Sequence, residues 1–126
     1  MKKISFALFL ISLITNSYSQ KKPCSDFKTG KFEYTNPKFS EWKVTRTDST
    51  QTEISSITGV ELNAKVKWKT NCEFVLTYKN IINSKESTEI IGKQIFVEIF
   101  EIQDSEFKYD SKFESTELTS EMIKVE

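Results

Sequence analysis

The chain has 126 residues with 18 basic and 18 acidic side chains, so its formal net charge is zero, and it has no histidine. The absence of histidine excludes Ser–His–Asp and Cys–His catalysis and nearly all zinc, copper and non-haem iron sites, so we predict no metal and no cofactor. A neutral chain offers little to a phosphate backbone, and nucleic acid is therefore not an expected partner.

Residues 1–19 are predicted to form a cleaved signal peptide. Lys2 and Lys3 precede the apolar run "ISFALFLISLI", and "SYS" at positions 17–19 supplies the small residues needed for cleavage before Gln20. The apolar run is shorter than the roughly 20 residues that span a bilayer, so a retained membrane anchor is the less favoured alternative. Cleavage leaves 126 − 19 = 107 residues, enough for one domain, 20–126, which we expect to be periplasmic or extracellular without a membrane span.

Cys24 and Cys72 are predicted to form one disulfide. In an oxidising compartment, two cysteines in a domain of this size are usually bonded to each other. Their separation of 72 − 24 = 48 positions does not fit a CxxC redox motif, while free or intermolecular thiols stay open as alternatives. Closing this loop would stabilise the fold by about 4 kcal/mol.

Apolar and polar residues alternate with a period of two along most of the chain, which predicts β-strands. In chain order the predicted strands are "KFEY" (31–34), "WKVTR" (42–46), "TQTEISS" (50–56), "VELNAKVKW" (60–68), "CEFVLTY" (72–78), "QIFVEIFEI" (94–102) and "EFKYDSKF" (106–113), with a weaker candidate in "EMIKVE" (121–126). Strand 94–102 is apolar on both faces, which predicts that it is central in the sheet or covered on both sides.

The predicted connections are mostly short. Bends are expected at Gly30, Asn36–Pro37 and Gly59, a hairpin crosses Lys69–Asn71, and a longer connection runs from Asn80 to Gln94. About seven antiparallel strands in this order form a meander, and we predict an all-β, lipocalin-like small barrel or half-barrel. Barrel closure removes exposed strand edges, so a two-sheet sandwich is the second choice.

Arg46 is the first candidate ligand-binding residue. It shares a face with Trp42, so strict alternation points its guanidinium inward, where it needs a carboxylate, a stacked ring or an acidic ligand. Glu53 and Glu98 are the carboxylates predicted as partners. The alternative is that the strand ends at Thr45, or that a bulge turns Arg46 to solvent.

Aromatic side chains supply the other candidates for a ligand cavity. The predicted binding residues beside Arg46 are Trp42, Trp68, Tyr78, Phe96 and Tyr109. Such residues more often fill a core, and in a domain of about 107 residues a cavity competes with that core. Glu98, which interrupts an apolar strand, could serve as a general acid if buried, but an acid that faces solvent is favoured.

The segments "FKTGKFEY", "EWKVTRTDSTQTE", "VKWKTNCEFVLTY" and "IIGKQIFVEIFEI" resemble those of a family of small exported bacterial proteins of unassigned function. The most specific part is the Trp-x-x-x-Cys-x-aromatic-x-Leu-x-Tyr run from Trp68 to Tyr78. Some members carry an automatic label of DNA topoisomerase IV, an activity that needs several large domains and access to cytoplasmic DNA. The resemblance implies no catalytic residues.

Three functions follow as expectations. The first is a non-enzymatic exported β-domain that binds a small apolar or amphiphilic ligand. The second is a structural or protein-interaction module of the envelope, whose partner is another protein. The third and least favoured is a hydrolase or isomerase that uses carboxylates only, because no two acids can be paired from the sequence.

Overall fold

The computed structural model describes residues 23–85 and 89–126, so the predicted signal peptide lies outside the described residues. It consists of eight strands: β1 Gly30–Tyr34, β2 Trp42–Arg46, β3 Thr50–Ser55, β4 Glu61–Trp68, β5 Glu73–Ile82, β6 Gln94–Gln103, β7 Glu106–Phe113 and β8 Thr116–Lys124. Two short 3-10 turns, Cys24–Phe27 and Pro37–Phe39, complete the regular structure. No helix in these two ranges is long and apolar enough to cross a membrane.

The eight strands form a closed antiparallel barrel in which each strand pairs with the next along the chain. Closure is made by β1 and β8, where Phe32 lies opposite Lys124 and Tyr34 lies opposite Met122. The predicted all-β meander and barrel are therefore confirmed, with the weak C-terminal candidate forming a full eighth strand. Because the ladder is closed, the sheet has no free edge.

One end of the barrel is covered by the Cys24–Phe27 turn, which we call the plug. The Phe27 side chain is 1% exposed and its ring centroid lies 4.9 Å from that of Phe107 inside the barrel. Cys24 is bonded to Cys72 in the β4–β5 connection, with 5.1 Å between their Cα atoms. The predicted disulfide is thus confirmed, and it ties the plug to the barrel wall.

The barrel interior carries the core, as the alternation predicts. The fully buried apolar side chains include Phe32, Val44, Val66, Phe74 and Phe107. Of the two alternatives for strand 94–102, a central place in the sheet is confirmed, since β6 lies between β5 and β7, whereas coverage of both faces is wrong. Phe96 is 44% exposed and Phe100 is 50% exposed, because the outer face of β6 is largely open to solvent.

Gly30, at the start of β1, lies at a close approach to the C-terminal residues. Its φ of +132° is a conformation that residues with a Cβ rarely adopt. A Cβ at this position would lie 2.6 Å from the Glu126 carbonyl oxygen and 2.7 Å from Lys124 Cε. Glycine is therefore needed where β1 meets the C-terminal residues.

Candidate functional site

The inward face of β3 is polar. Gln51, Glu53 and Ser55 are all buried on it. The register of the β2–β3 hairpin sets this orientation, because Arg46 lies opposite Gln51 and Val44 lies opposite Glu53. Directly opposed residues of antiparallel strands project to the same face. β3 consequently places an amide, a carboxyl group and a hydroxyl inside the barrel.

Arg46 points into the barrel, as strict alternation predicts, and is only 4% exposed. Its Nε donates a 3.2 Å hydrogen bond to Gln51 Oε1, and its Nη1 donates a 3.5 Å bond to the Phe27 carbonyl oxygen of the plug. The ring centroids of Phe32 and Phe74 lie 4.6 and 4.7 Å from the guanidinium carbon, in cation–π contact. The alternative in which Arg46 turns to solvent is wrong.

Glu53 is the hydrogen-bond acceptor on the side of the cluster away from Arg46. Tyr78 Oη donates a 2.6 Å hydrogen bond to Glu53 Oε2, and Gln51 Nε2 donates a 3.4 Å bond to the same oxygen. Tyr34 lines the same cavity wall as Glu53. Gln51 therefore bridges Arg46 and Glu53, since its carbonyl oxygen accepts from the first and its amide nitrogen donates to the second.

Burial dominates the ionisation of these groups. Desolvation raises the pKa of Glu53, while hydrogen bonds from Tyr78 and Gln51 and the charge of Arg46 act in the opposite direction. Desolvation lowers the pKa of Arg46 to about 10. Burial also raises the pKa values of Tyr34, Tyr78 and Tyr109, so these three phenols stay neutral at physiological pH.

A cavity of about 120 Å³ lies inside the barrel next to this cluster. Its polar lining residues are Tyr34, Arg46, Gln51, Glu53, Tyr78, Tyr109 and Ser111. Its apolar lining residues are Phe74, Leu76, Ile95, Val97, Ile99, Phe107 and Met122. Ala64 lies between Gln51 and Tyr78 in the strand register, and its methyl group leaves room that a larger side chain would fill.

A surface groove adjoins the cavity at Tyr34, which lines both. The groove lies where β1 pairs with β8. β1 ends at Tyr34, which lies opposite Met122, whereas β8 already begins at Thr116, so the first residues of β8 extend past the end of β1. Ser120 and Phe39 also line the groove, and the Phe39 ring centroid lies 5.6 Å from that of Tyr34. The Tyr34 ring therefore stands between the barrel interior and the surface.

The structure brings together three of the six predicted binding residues, Arg46, Tyr78 and Tyr109, at the cavity wall. Phe96, predicted to line it, lies on the outer face instead, where Lys69 Nζ is 5.0 Å from its ring centroid. The alternation of β6 turns Val97 inward and Phe96 outward.

Trp42 and Trp68 are half-buried on inward faces but do not line the cavity. The Trp68 ring packs on Phe74, with centroids 4.5 Å apart, and Lys28 Nζ lies 5.0 Å from it. Both tryptophans thus occupy positions near the ends of their strands rather than the centre of the barrel. Among the described residues, Trp68 Nε1 is a buried nitrogen without a hydrogen-bond partner.

Sequence reasoning missed Gln51 as a site residue and treated Glu53 and Glu98 as equal partners for Arg46. The structure separates them, because Glu53 is buried beside the cavity and Glu98 is exposed on β6. A usable signal was present in the hairpin: if Trp42 and Val44 face inward, a short β2–β3 turn brings the odd-numbered residues of β3 to the same face.

Within residues 23–85 and 89–126, no group of three or more acidic or cysteine side chains is arranged to hold a metal ion. Comparison of the chain with protein-family models, with curated proteins and with solved structures gave no match.

Proposed function

We propose that this protein is an exported, non-enzymatic barrel that binds a small amphiphilic molecule in its central cavity. The observation that carries the proposal is the cavity of about 120 Å³, which has buried polar groups on one part of its wall and aliphatic side chains on the rest. Binding cavities commonly combine an apolar lining with a few polar groups that fix orientation. In this respect the domain is lipocalin-like.

The volume limits the size of the ligand. A dry cavity of about 150 Å³ accepts benzene, whereas drug-sized ligands need about 300–1,000 Å³. The cavity here therefore suits a molecule of about six non-hydrogen atoms, unless the side chain of Tyr34 moves and joins the cavity to the groove. A short alkyl chain or small ring with one polar group has the matching chemistry.

Titration with 1-butanol and benzene, followed by NMR, tests this proposal. We expect saturable chemical-shift changes that are confined to inward-facing groups such as the Met122 methyl. Ser111→Leu fills the cavity from β7 and should abolish the shifts, whereas Lys112→Leu, on the outward face of the same strand, should leave them intact. Shifts that spread over the outer surface, or that persist in Ser111→Leu, would contradict an internal site.

Export and the absence of catalysis belong to the same proposal. The Cys24–Cys72 disulfide supports export, because such bonds persist in oxidising compartments. Among the described residues that line the cavity, Glu53 is the single carboxylate, so chemistry that needs two acids finds no second group there. N-terminal sequencing of the protein recovered from the periplasm or medium should begin at Gln20.

A second candidate, contact with an envelope protein, is favoured by the outer face of β6. Phe96 and Phe100 are exposed there, and large apolar side chains in company often mark interaction surfaces. Cross-linking in envelope extracts with wild type and with Phe96→Ser/Phe100→Ser distinguishes the two functions. A cross-link lost in the double variant supports this candidate, and an unchanged monomer in both removes it.

A further inference from the structure

We propose that the ligand of the central cavity is a small organic monoanion, such as a short-chain carboxylate, and that Glu53 is protonated in the complex. This inference rests on the proposed function, because it names the ligand class of the same cavity. It is carried by the unused hydrogen-bonding capacity of the cavity wall and by the balance of charge inside the barrel.

The unused capacity lies on Arg46. A guanidinium has five N–H donors, and Gln51 and the Phe27 carbonyl take two, which leaves 5 − 2 = 3 without an acceptor among the described residues. Phe32 and Phe74 offer ring faces to the guanidinium and no lone pairs. Since Arg46 is 4% exposed and lines the cavity, an acceptor for these groups has to come from inside it.

The acceptor side of the cluster is already occupied. Glu53 accepts hydrogen bonds from Tyr78 and Gln51. A cationic ligand would have to displace one of these donors and would lie near the Arg46 charge. A ligand with acceptor oxygens, by contrast, meets free donors, and a carboxylate matches the planar fork of the guanidinium.

Charge balance then couples the ligand to a proton. Among the described residues that line the cavity, Arg46 and Glu53 are the two that can carry charge at neutral pH. An added anion would leave a net charge of −1 in a poorly solvated interior, which is unfavourable. If the Glu53 carboxylate takes a proton from a hydronium ion or buffer acid of the solvent, the donor's bond to that proton breaks and an O–H bond forms on the carboxyl group. Arg46 is then left to pair with the anion alone.

Among the described residues, the other ionisable groups that face Glu53 keep their charge state near neutral pH. The phenols on β1, β5 and β7 have raised pKa values and stay neutral, and the Arg46 pKa of about 10 keeps it charged. The inward residues of β4, β6 and β8 at this level include Ala64, Val97 and Met122, which do not ionise. Glu53, whose pKa is raised by burial, is therefore the group here whose protonation can change when an anion binds.

NMR titrations of the exported, oxidised protein with butyrate, butyramide and butylamine test the inference. These probes have nearly the same size and differ in charge. At pH 6 we expect butyrate to bind about tenfold more tightly than butyramide, with butylamine weakest. Above the pKa of Glu53 in the free protein, the butyrate Kd should weaken up to tenfold per pH unit, whereas the butyramide Kd should stay constant.

Butyric acid that enters with its own proton would give the same slope, so a variant has to separate the two. Glu53→Gln should bind butyrate with little pH dependence, and the exposed-acid control Glu98→Gln should keep the wild-type slope. The carboxyl resonance of bound 13C-labelled butyrate gives a second measurement in wild type, independent of whether Glu53→Gln folds. The position of an ionised carboxylate supports the inference, and that of the neutral acid overturns it.

The outcomes separate this inference from the proposed function. If butyramide or 1-butanol binds inside the barrel while butyrate does not, or if butylamine binds best, the anion assignment is wrong and the ligand-binding function stands. A pH slope that survives in Glu53→Gln also overturns the assignment. If none of the probes binds in the cavity, both proposals fall.

Discussion

Tyr78 and Glu53, which are 25 positions apart, are joined inside the barrel by a 2.6 Å hydrogen bond from the phenol to the carboxyl group. Their strands, β5 and β3, are not neighbours, because β4 runs between them. Ala64 of β4 lies opposite Tyr78, and its small side chain lets the two polar groups meet. The contact therefore joins non-adjacent parts of the wall across the interior.

Tyr78→Phe removes this hydrogen bond and leaves the buried Glu53 carboxyl with one donor fewer. Because an unmet buried polar group is expensive, the free energy of unfolding should fall by about 1–3 kcal/mol at pH 7. Urea denaturation measures the change. Thr116→Val removes an exposed hydroxyl and should alter stability by less than about 0.5 kcal/mol. Equal effects of the two substitutions would show that the contact contributes nothing.

Glu53 also predicts how stability changes with pH. Its pKa in the folded protein is raised above its ordinary value of 4.5, mainly by burial. The folded state therefore holds the proton more strongly, so this stabilisation is complete below about pH 4.5 and is lost as the pH rises through the folded pKa. The loss should reach at most about 1.4 kcal/mol per pH unit.

The comparison that isolates this effect is wild type against Glu53→Gln across pH 4–9. Wild type should lose free energy of unfolding relative to Glu53→Gln as the pH rises, because the amide does not ionise. Glu98→Gln should run parallel to wild type, since that acid faces solvent. A Glu53→Gln curve parallel to wild type would mean that Glu53 ionises as an exposed acid does.

Loss of the Cys24–Cys72 disulfide should lower the free energy of unfolding by about 4 kcal/mol, through the chain entropy of the opened loop. Guanidinium denaturation of oxidised protein, reduced protein and Cys24→Ser/Cys72→Ser measures it. Reduced wild type and the double variant should agree with each other. A change below about 1 kcal/mol would show that the plug is held by Phe27 packing and not by the bond.

Gly30→Ala should destabilise the protein more than Gly59→Ala. Both glycines have positive φ, +132° and +76°, so alanine is strained at either by about 1 kcal/mol or more. A Cβ at Gly30 also meets the Glu126 carbonyl oxygen at 2.6 Å, whereas at Gly59 it meets nothing within 4 Å. Thermal unfolding of both variants gives the ranking. Equal losses would show that the C-terminal residues move aside freely.

The fold was predictable because one-sided burial leaves a period of two in the sequence, and β4, β5 and β7 carry this period most clearly. β8 was seen only in part, since its first residues are polar or exposed on both faces and Met122 is its buried residue. The outer face of β6 caused a different error, because its residues were predicted to be covered and are exposed. Its phenylalanines look like core residues, because residue type alone does not distinguish a buried aromatic side chain from an exposed one.

The site was harder to predict, because β3 inverts the usual pattern. Ile54 faces outward and is 39% exposed, while Gln51 and Glu53 are buried. Hydropathy alone assigns the wrong face to this strand, and only the register of the β2–β3 hairpin corrects it. Arg46, by contrast, follows strict alternation, so its orientation was available from the pattern of its own strand.

The plug makes the proposed binding site dependent on the disulfide and so on the redox conditions around the protein. Arg46 donates a hydrogen bond to the backbone carbonyl of Phe27 in the plug, and the Cys24–Cys72 disulfide holds the plug in place. Newly made chains in a reducing compartment would lack the disulfide, so the plug that contacts the guanidinium would not be covalently fixed. Under the proposed function, formation of the complete cavity would then coincide with oxidation, and ligand binding would begin only where oxidants are present.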